Sequence, residues 1–273
     1  MSIDWQNLLR GGMRGVAVEG KDDQIAIESF LSAGERDGHW QNWRARLAIQ
    51  RADGTSMVLK EVQRTDYMIW GVLDRDWRPT EELAKLQSEH SRLLFLPRIM
   101  IENFIIAPDE LLARLPPNQR ERLKKSDFAT LVEAERAVWV QHGALSGVLY
   151  ERGAHQFCRG EEGFPHRLLA KPVSSKDEIK RQLEMWQEQL APESLLPIYE
   201  ERLAAFQRQT ATNQYWQCID GKDFFNQVVV QKLNKFLRQS ERNKWWEILF
   251  QHTVESPPCP PDLVPLLKRL LAE

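Results

Sequence analysis

Two short apolar runs that break off at carboxylates constrain this chain more than any other feature. RGVAVEG, ending at Gly20, has the make-up of a buried strand, and the side chain before its last glycine is Glu19. YMIWGVLDRDW, starting at Tyr67, is a second such run and passes directly into Asp74 and Asp76. Short apolar stretches bounded by turn residues read as strands with little exposure on either face. KDDQIAIESFLSAG follows Gly20 and predicts a helix, with Asp22 and Asp23 in its first turn and Gly34 as its stop. A strand feeding a helix sets Glu19 at the carboxyl edge of a sheet, where open α/β sheets bind ligands.

The neighbouring segments extend the pattern. RARLAIQ and SMVLKEV flank RADGT, and Asp53-Gly54 predicts a hairpin turn between them. RLLFLPRIMIENFII contains a further strand that Pro97 either ends or bends. From about residue 110 long helical patterns take over. PPNQRERLKKSDFATLVEAERAVWVQHG fits one or two helices, and PESLLPIYEERLAAFQRQ, KDFFNQVVVQKLNKFL and SERNKWWEILFQH each fit one. Ser175 and Glu178 form a capping box ahead of Ile179, Leu183 and Trp186, and ESPPCPPDLVPLL is a stiff spacer before a terminal helix. The fold expected is an α/β core over residues 1–110, a mostly parallel sheet with helices, followed by a predominantly helical region over 111–273. That second region would serve docking, oligomerisation or substrate contact.

Charge narrows the function. A net charge of −2 and a pI near 6.4 do not suit a protein that coats nucleic acid by bulk attraction. A nucleic-acid substrate would need a local basic face or a metal. Three widely spaced cysteines, Cys158, Cys218 and Cys259, suggest no disulfide framework. The start of the chain has no basic region leading into a long apolar run, and no segment is of membrane-spanning length. A cytoplasmic address and no membrane partner are therefore expected.

GVAVEGKDD also begins like a phosphate-binding P-loop, with Gly15, Gly20 and Lys21 at the right spacing. Asp22 stands where a Ser or Thr should hold magnesium, and three of the intervening residues are strand-formers followed by Glu19. ATP binding through this loop is rejected. What survives is an acidic site. If the strand stays extended past Asp74, residues two apart point the same way, so Asp74 and Asp76 would face Glu19 together. Three such carboxylates repel one another unless hard divalent cations stand between them, which suits magnesium, or manganese.

With these residues in view, VAVEGKDD and IWGVLDRDW resemble the topoisomerase–primase (TOPRIM) domain. LPRIMIENFII, carrying Glu102-Asn103, resembles a stand-alone subgroup related to the OLD (overcoming lysogenization defect) nucleases, and DGKDFF at 220–225 is a weaker feature of the same kind. The resemblance covers roughly the first 110 residues. It implies a Rossmann-like core and magnesium-dependent phosphodiester chemistry on DNA or RNA. Glu19 would be a metal ligand or general acid/base, Asp74 and Asp76 metal ligands, Glu102 an extra ligand, and Lys21 a phosphate contact. It also implies a toxic effector role in anti-phage defence, with an ABC-type ATPase or a homodimer partner seated on the helical half. The alternative is a non-catalytic TOPRIM scaffold that binds nucleic acid or a partner.

Several residues have plainer readings. Asp22 and Asp23 complement a helix dipole, with metal ligation the alternative for Asp22. Glu102, within an apolar run, needs a partner: either a metal or an arginine such as Arg98 or Arg75. Asn103 ties down a loop through its amide. His155, Cys158 and His166 fit no established zinc spacing. Trp245 and Trp246 have the spacing of packing residues rather than of a base-stacking platform.

Overall fold

The computed structural model of the chain describes residues 3–9, 11–151, 180–181, 184, 187–188, 190–238, 242–251 and 257–272. The capping box at Ser175 and Glu178 and the group His155, Cys158 and His166 lie outside the described residues. The core is a four-stranded, all-parallel sheet in the order β2-β1-β3-β4. Its strands are β1 (Arg14–Val18), β2 (Leu47–Arg51), β3 (Ile69–Leu73) and β4 (Leu93–Phe95). Helices α1 (Trp5–Leu8), α2 (Lys21–Arg36), α3 (Trp43–Arg46), α4 (Thr55–Val62) and α5 (Thr80–Glu89) lie around these strands in the chain. A 3₁₀ turn at Ile101–Phe104 follows.

The later part of the chain forms α6 (Pro108–Arg114), α7 (Pro117–Lys124), α8 (Phe128–Glu151), α9 (Pro192–Gln207) and α10 (Ala211–Gln217). Then come α11 (Gly221–Phe224), a π-helical turn at Phe225–Val229, α12 (Val230–Leu237), α13 (Arg242–Gln251) and α14 (Val264–Leu271).

Alternation along the strands assigns the two faces. Val16 and Val18 of β1 join Ile49, Val72 and Leu94 in one apolar cluster, against α2 and the helices of the later chain. Ala17 points the other way, with Ile69, Leu73 and Leu93, against Trp5 of α1 and Val58 and Val62 of α4. Both faces are covered, as parallel sheets require. The first cluster runs from Val16 to Leu271, so strands and late helices share one core. Arg98 fastens the two parts together. It is fully buried, pairs with Glu110 at 2.8 Å and Asp262 at 2.9 Å, and lies over the rings of Phe104 and Trp216.

Two local expectations are corrected. Asp53-Gly54 makes no hairpin: β2 is parallel to β1, and the turn sends the chain from strand into α4. The left-handed conformations that suit Asp-Gly to a hairpin, φ 61° at Asp53 and 112° at Gly54, serve a strand-to-helix turn equally well. In SMVLKEV the buried residues Val58 and Val62 lie four apart, a helical spacing that a short apolar run cannot distinguish from a strand. Gly34 does not stop α2, which runs on to Arg36; Gly34 is where the indole of Trp40 lies against the helix. Pro97 follows the end of β4, as expected.

Candidate functional site

The order β2-β1-β3-β4 reverses direction between β1 and β3, and Glu19 and Asp74 follow the carboxyl ends of those two strands, the switch point at which open α/β sheets bind ligands. The register pairs Val18 with Val72. Glu19 is therefore one residue past its strand and Asp74 two residues past the matching position, on strands about 4.8 Å apart.

Hydrogen bonds from neighbouring turns hold Glu19, Asp74 and Asp23. Glu19 accepts a hydrogen bond from the Thr55 hydroxyl, and its carbonyl accepts the Gly54 amide at 3.0 Å. The Asp-Gly-Thr turn after β2 thus forms one wall of the site. Asp74 Oδ1 accepts the amide of Ile101 at 3.0 Å, which brings the 3₁₀ turn and its Glu102 alongside. Asp23 Oδ2 accepts the Gly20 amide at 2.8 Å, so the first turn of α2 is capped by its own carboxylate.

Electrostatics show that these groups feel one another. Burial, followed by the charges of Asp23, Glu102, Asp76 and Glu19, pushes Asp74 well above the usual carboxylate range. Burial and then Glu19 raise Asp23 to about 6. Burial, reinforced by Asp23 and Asp220 and opposed by Lys222, raises Glu102 to about 8. The site is a set of carboxylates with too little positive charge nearby.

Asp76 is placed differently from expectation. The strand ends at Leu73, and Asp76 sits at φ 49° with its amide donating to the Ile99 carbonyl at 2.8 Å. Its carboxylate is 2.8 Å from Arg78 and lines a cavity of about 320 Å³ together with Arg75, Trp77 and Arg202. The extended two-residue spacing does not persist, although its charge still reaches Asp74. The arginine partners considered for Glu102 are also excluded by contacts elsewhere. Arg98 pairs with Glu110 and Asp262, and Arg75 donates to Gln217 at 3.1 Å. Lys21 lies 3.5 Å from Glu247, both well exposed, at a cavity of about 450 Å³ that Glu102 and Lys222 also line.

Sequence reasoning passed over two members of this site. Asp23 does more than complement the helix dipole: the charge of Glu19 raises its pKa, and its own charge raises that of Asp74. Its position four residues after Glu19, in the first turn of a helix that begins at the sheet edge, was the available signal. Lys222 comes from the DGKDFF segment, far along the chain, and its charge is felt at Glu102 and Asp22. Asn103 explains how it arrives. That buried amide donates to the carbonyls of Tyr215 at 2.6 Å and Ile219 at 3.0 Å and accepts from Met100 at 3.0 Å. It joins the turn bearing Glu102 to the loop that leads into Lys222.

As the side chains stand, no group of three or more His, Cys, Asp or Glu among the described residues is arranged to hold a metal ion. The donor chemistry nonetheless fits a hard cation. Asp23, Asp74 and Glu102 are raised in pKa by burial and by one another's charge, with the Glu19 charge adding at Asp23 and Asp74, a penalty that a divalent ion would reverse. Comparison with known proteins adds no assignment: no protein-family model matches the chain, and no curated protein matches it. Among the described residues, no helix is long and apolar enough to cross a membrane.

Proposed function

We propose that this chain is a TOPRIM-type, magnesium-dependent nuclease that hydrolyses phosphodiester bonds in DNA or RNA. The observation that carries the reading is the gathering of Glu19, Asp23, Asp74 and Glu102 at the switch point of a parallel sheet. Carboxylates such as Asp23, Asp74 and Glu102, raised in pKa by burial and by one another's charge, are typical of sites built for a cation or for proton transfer. Glu19, Asp74 and Glu102, with Asp23 beside them, would hold the metal. Bound magnesium would supply a Lewis acid for the phosphate and lower the pKa of an attacking water. The chain's own groups supply the remainder. Thr55 orients Glu19, the Ile101 amide orients Asp74, and Lys222 brings a positive charge toward Glu102. The proposed role as a toxic effector in phage defence, controlled by an ABC-type ATPase, rests on the resemblance of VAVEGKDD, IWGVLDRDW and LPRIMIENFII to that group.

The test is cleavage of single-stranded DNA, duplex DNA and structured RNA with magnesium or manganese, comparing the parent with a Glu19→Gln, Asp74→Asn double variant. Cleavage by the parent and loss in the variant is expected; retained cleavage in the variant would sink the site assignment. One observation favours a second reading, a non-catalytic scaffold: the Asp76 carboxylate is already satisfied by Arg78. Calorimetric titration with magnesium separates the two, since a scaffold would give no heat of binding that depends on Glu19 and Asp74.

A further inference from the structure

The cavity beside Glu102 is built from two kinds of surface. Its inner wall is aromatic. Phe225 and Trp246 meet edge to face, with centroids 5.8 Å apart and planes at 81°, and they are only 5% and 6% exposed. The Trp246 N–H is spent on the Asp22 carbonyl at 3.2 Å, which leaves ring surface as its contribution to the cavity. The rim is polar, with the carboxylates of Asp22 and Glu247, the amide of Asn226 and the ammonium of Lys222. Phe225 and Asn226 both lie in the π-helical turn Phe225–Val229. Single π turns widen a helix locally and recur at functional sites, where they redirect side chains.

The charge on the rim decides what fits. Lys21 and Lys222 face the carboxylates of Asp22 and Glu247, and Lys21 lies 3.5 Å from Glu247, so the rim carries no surplus positive charge and a free phosphate group gains little inside. A flat, uncharged ring with N–H donors is favoured: it would lay its face on the aromatic wall and its donors on the carboxylates. A volume of about 450 Å³ is in the range of small-ligand sites and too small for a duplex. A base reaches such a pocket only when unpaired or turned out of its stack.

We propose that this cavity receives an unpaired nucleobase, one with exocyclic or ring N–H donors, from the nucleotide next to the bond held at the carboxylate cluster. The substrate class is then single-stranded or looped nucleic acid. This inference rests on the nuclease reading for its context, and its test separates the two.

Binding is measured by fluorescence anisotropy on the Glu19→Gln protein, with a labelled oligonucleotide offered as single strand, as duplex, and as single strands with one base removed at successive positions. The single strand should bind roughly tenfold or more tightly than the duplex, and base removal at one position should cost a similar factor. Asp22→Asn and Glu247→Gln, checked for intact circular dichroism, should each weaken single-strand binding several-fold. Equal binding of single strand and duplex, no sensitive base position, or Asp22→Asn and Glu247→Gln both binding like their parent would overturn the pocket. The unmutated protein is assayed for cleavage in parallel. Single-strand preference without cleavage would uphold the pocket and remove the hydrolytic reading. Cleavage of both forms without a binding preference would do the reverse.

Discussion

Glu102 offers the most direct test of the carboxylate cluster, because its burial has a pH signature. Its pKa is raised from 4.5 to about 8, by burial first and by Asp23 and Asp220 after it. Below about pH 4.5 the group is protonated in both folded and unfolded chains and carries no penalty. Between there and about 8 the unfolded chain has released the proton while the folded chain retains it. The folded state then binds more protons, so stability falls as pH rises, and the penalty is complete above about 8. Taken at face value the shift corresponds to about 5 kcal/mol. Screening by water at the open side of the cluster reduces this to roughly 1–2 kcal/mol. For a chain of this size that is a fall in Tm of about 2–6 °C. Asp23, raised to about 6, adds to the same trend at lower pH. Thermal unfolding in EDTA, scanned from about pH 5 to about pH 9, should show the parent losing that much relative to Glu102→Gln. Magnesium should abolish the difference by charging the cluster with a counter-ion. A parent that gains stability relative to Glu102→Gln as pH rises, or a gap that magnesium leaves untouched, would refute the reasoning.

Two further outcomes follow from the same contacts. Glu19→Gln combined with Asp74→Asn should reduce nuclease turnover by about 10³-fold or more while leaving the fold intact, measured by single-turnover cleavage alongside circular dichroism. Arg98→Ala should cost about 3–5 kcal/mol in urea unfolding, because it leaves Glu110 and Asp262 without their shared buried cation.

The parallel core was legible because β1 and β3 are continuous apolar runs that end abruptly in acid, and burial on both faces leaves no alternation to mislead. Their carboxylates were legible for the same reason. Asp53-Gly54 misled because turn chemistry records a left-handed backbone and not the direction in which the chain departs. Asp76 misled because extension was assumed beyond Leu73, where the backbone instead turns to deliver its amide to Ile99. Lys222 was legible only as part of DGKDFF and not as a neighbour of Glu102, for a different reason. It lies 203 positions after Glu19 in the chain numbering, and only the hydrogen bonds of Asn103 to Tyr215 and Ile219 bring its segment to the cluster. No local periodicity encodes a contact of that range.

That long-range junction makes a prediction of definite sign at Gly221. A Cβ added there would lie 2.5 Å from Asn103 Oδ1 and 3.0 Å from the Asn103 backbone nitrogen. The Asn103 side chain has nowhere to retreat, since three hydrogen bonds to Met100, Tyr215 and Ile219 fix it. Gly221 begins α11, where helix propensity alone would favour alanine by up to about 1 kcal/mol. The steric argument says the opposite: Gly221→Ala should destabilise the protein by about 1–3 kcal/mol in urea unfolding. It should also lower turnover beyond the loss of folded protein, because the displaced loop carries Lys222 away from Glu102. Asn103→Ala removes the obstructing amide and should itself cost about 2–4 kcal/mol by stranding buried backbone groups. In that background the added cost of Gly221→Ala should shrink by at least about 1 kcal/mol, as expected for two groups in contact. Additive costs, or an alanine at this position that stabilises the parent chain, would mean that the two segments are not locked together and that Lys222 reaches the cluster by some other route.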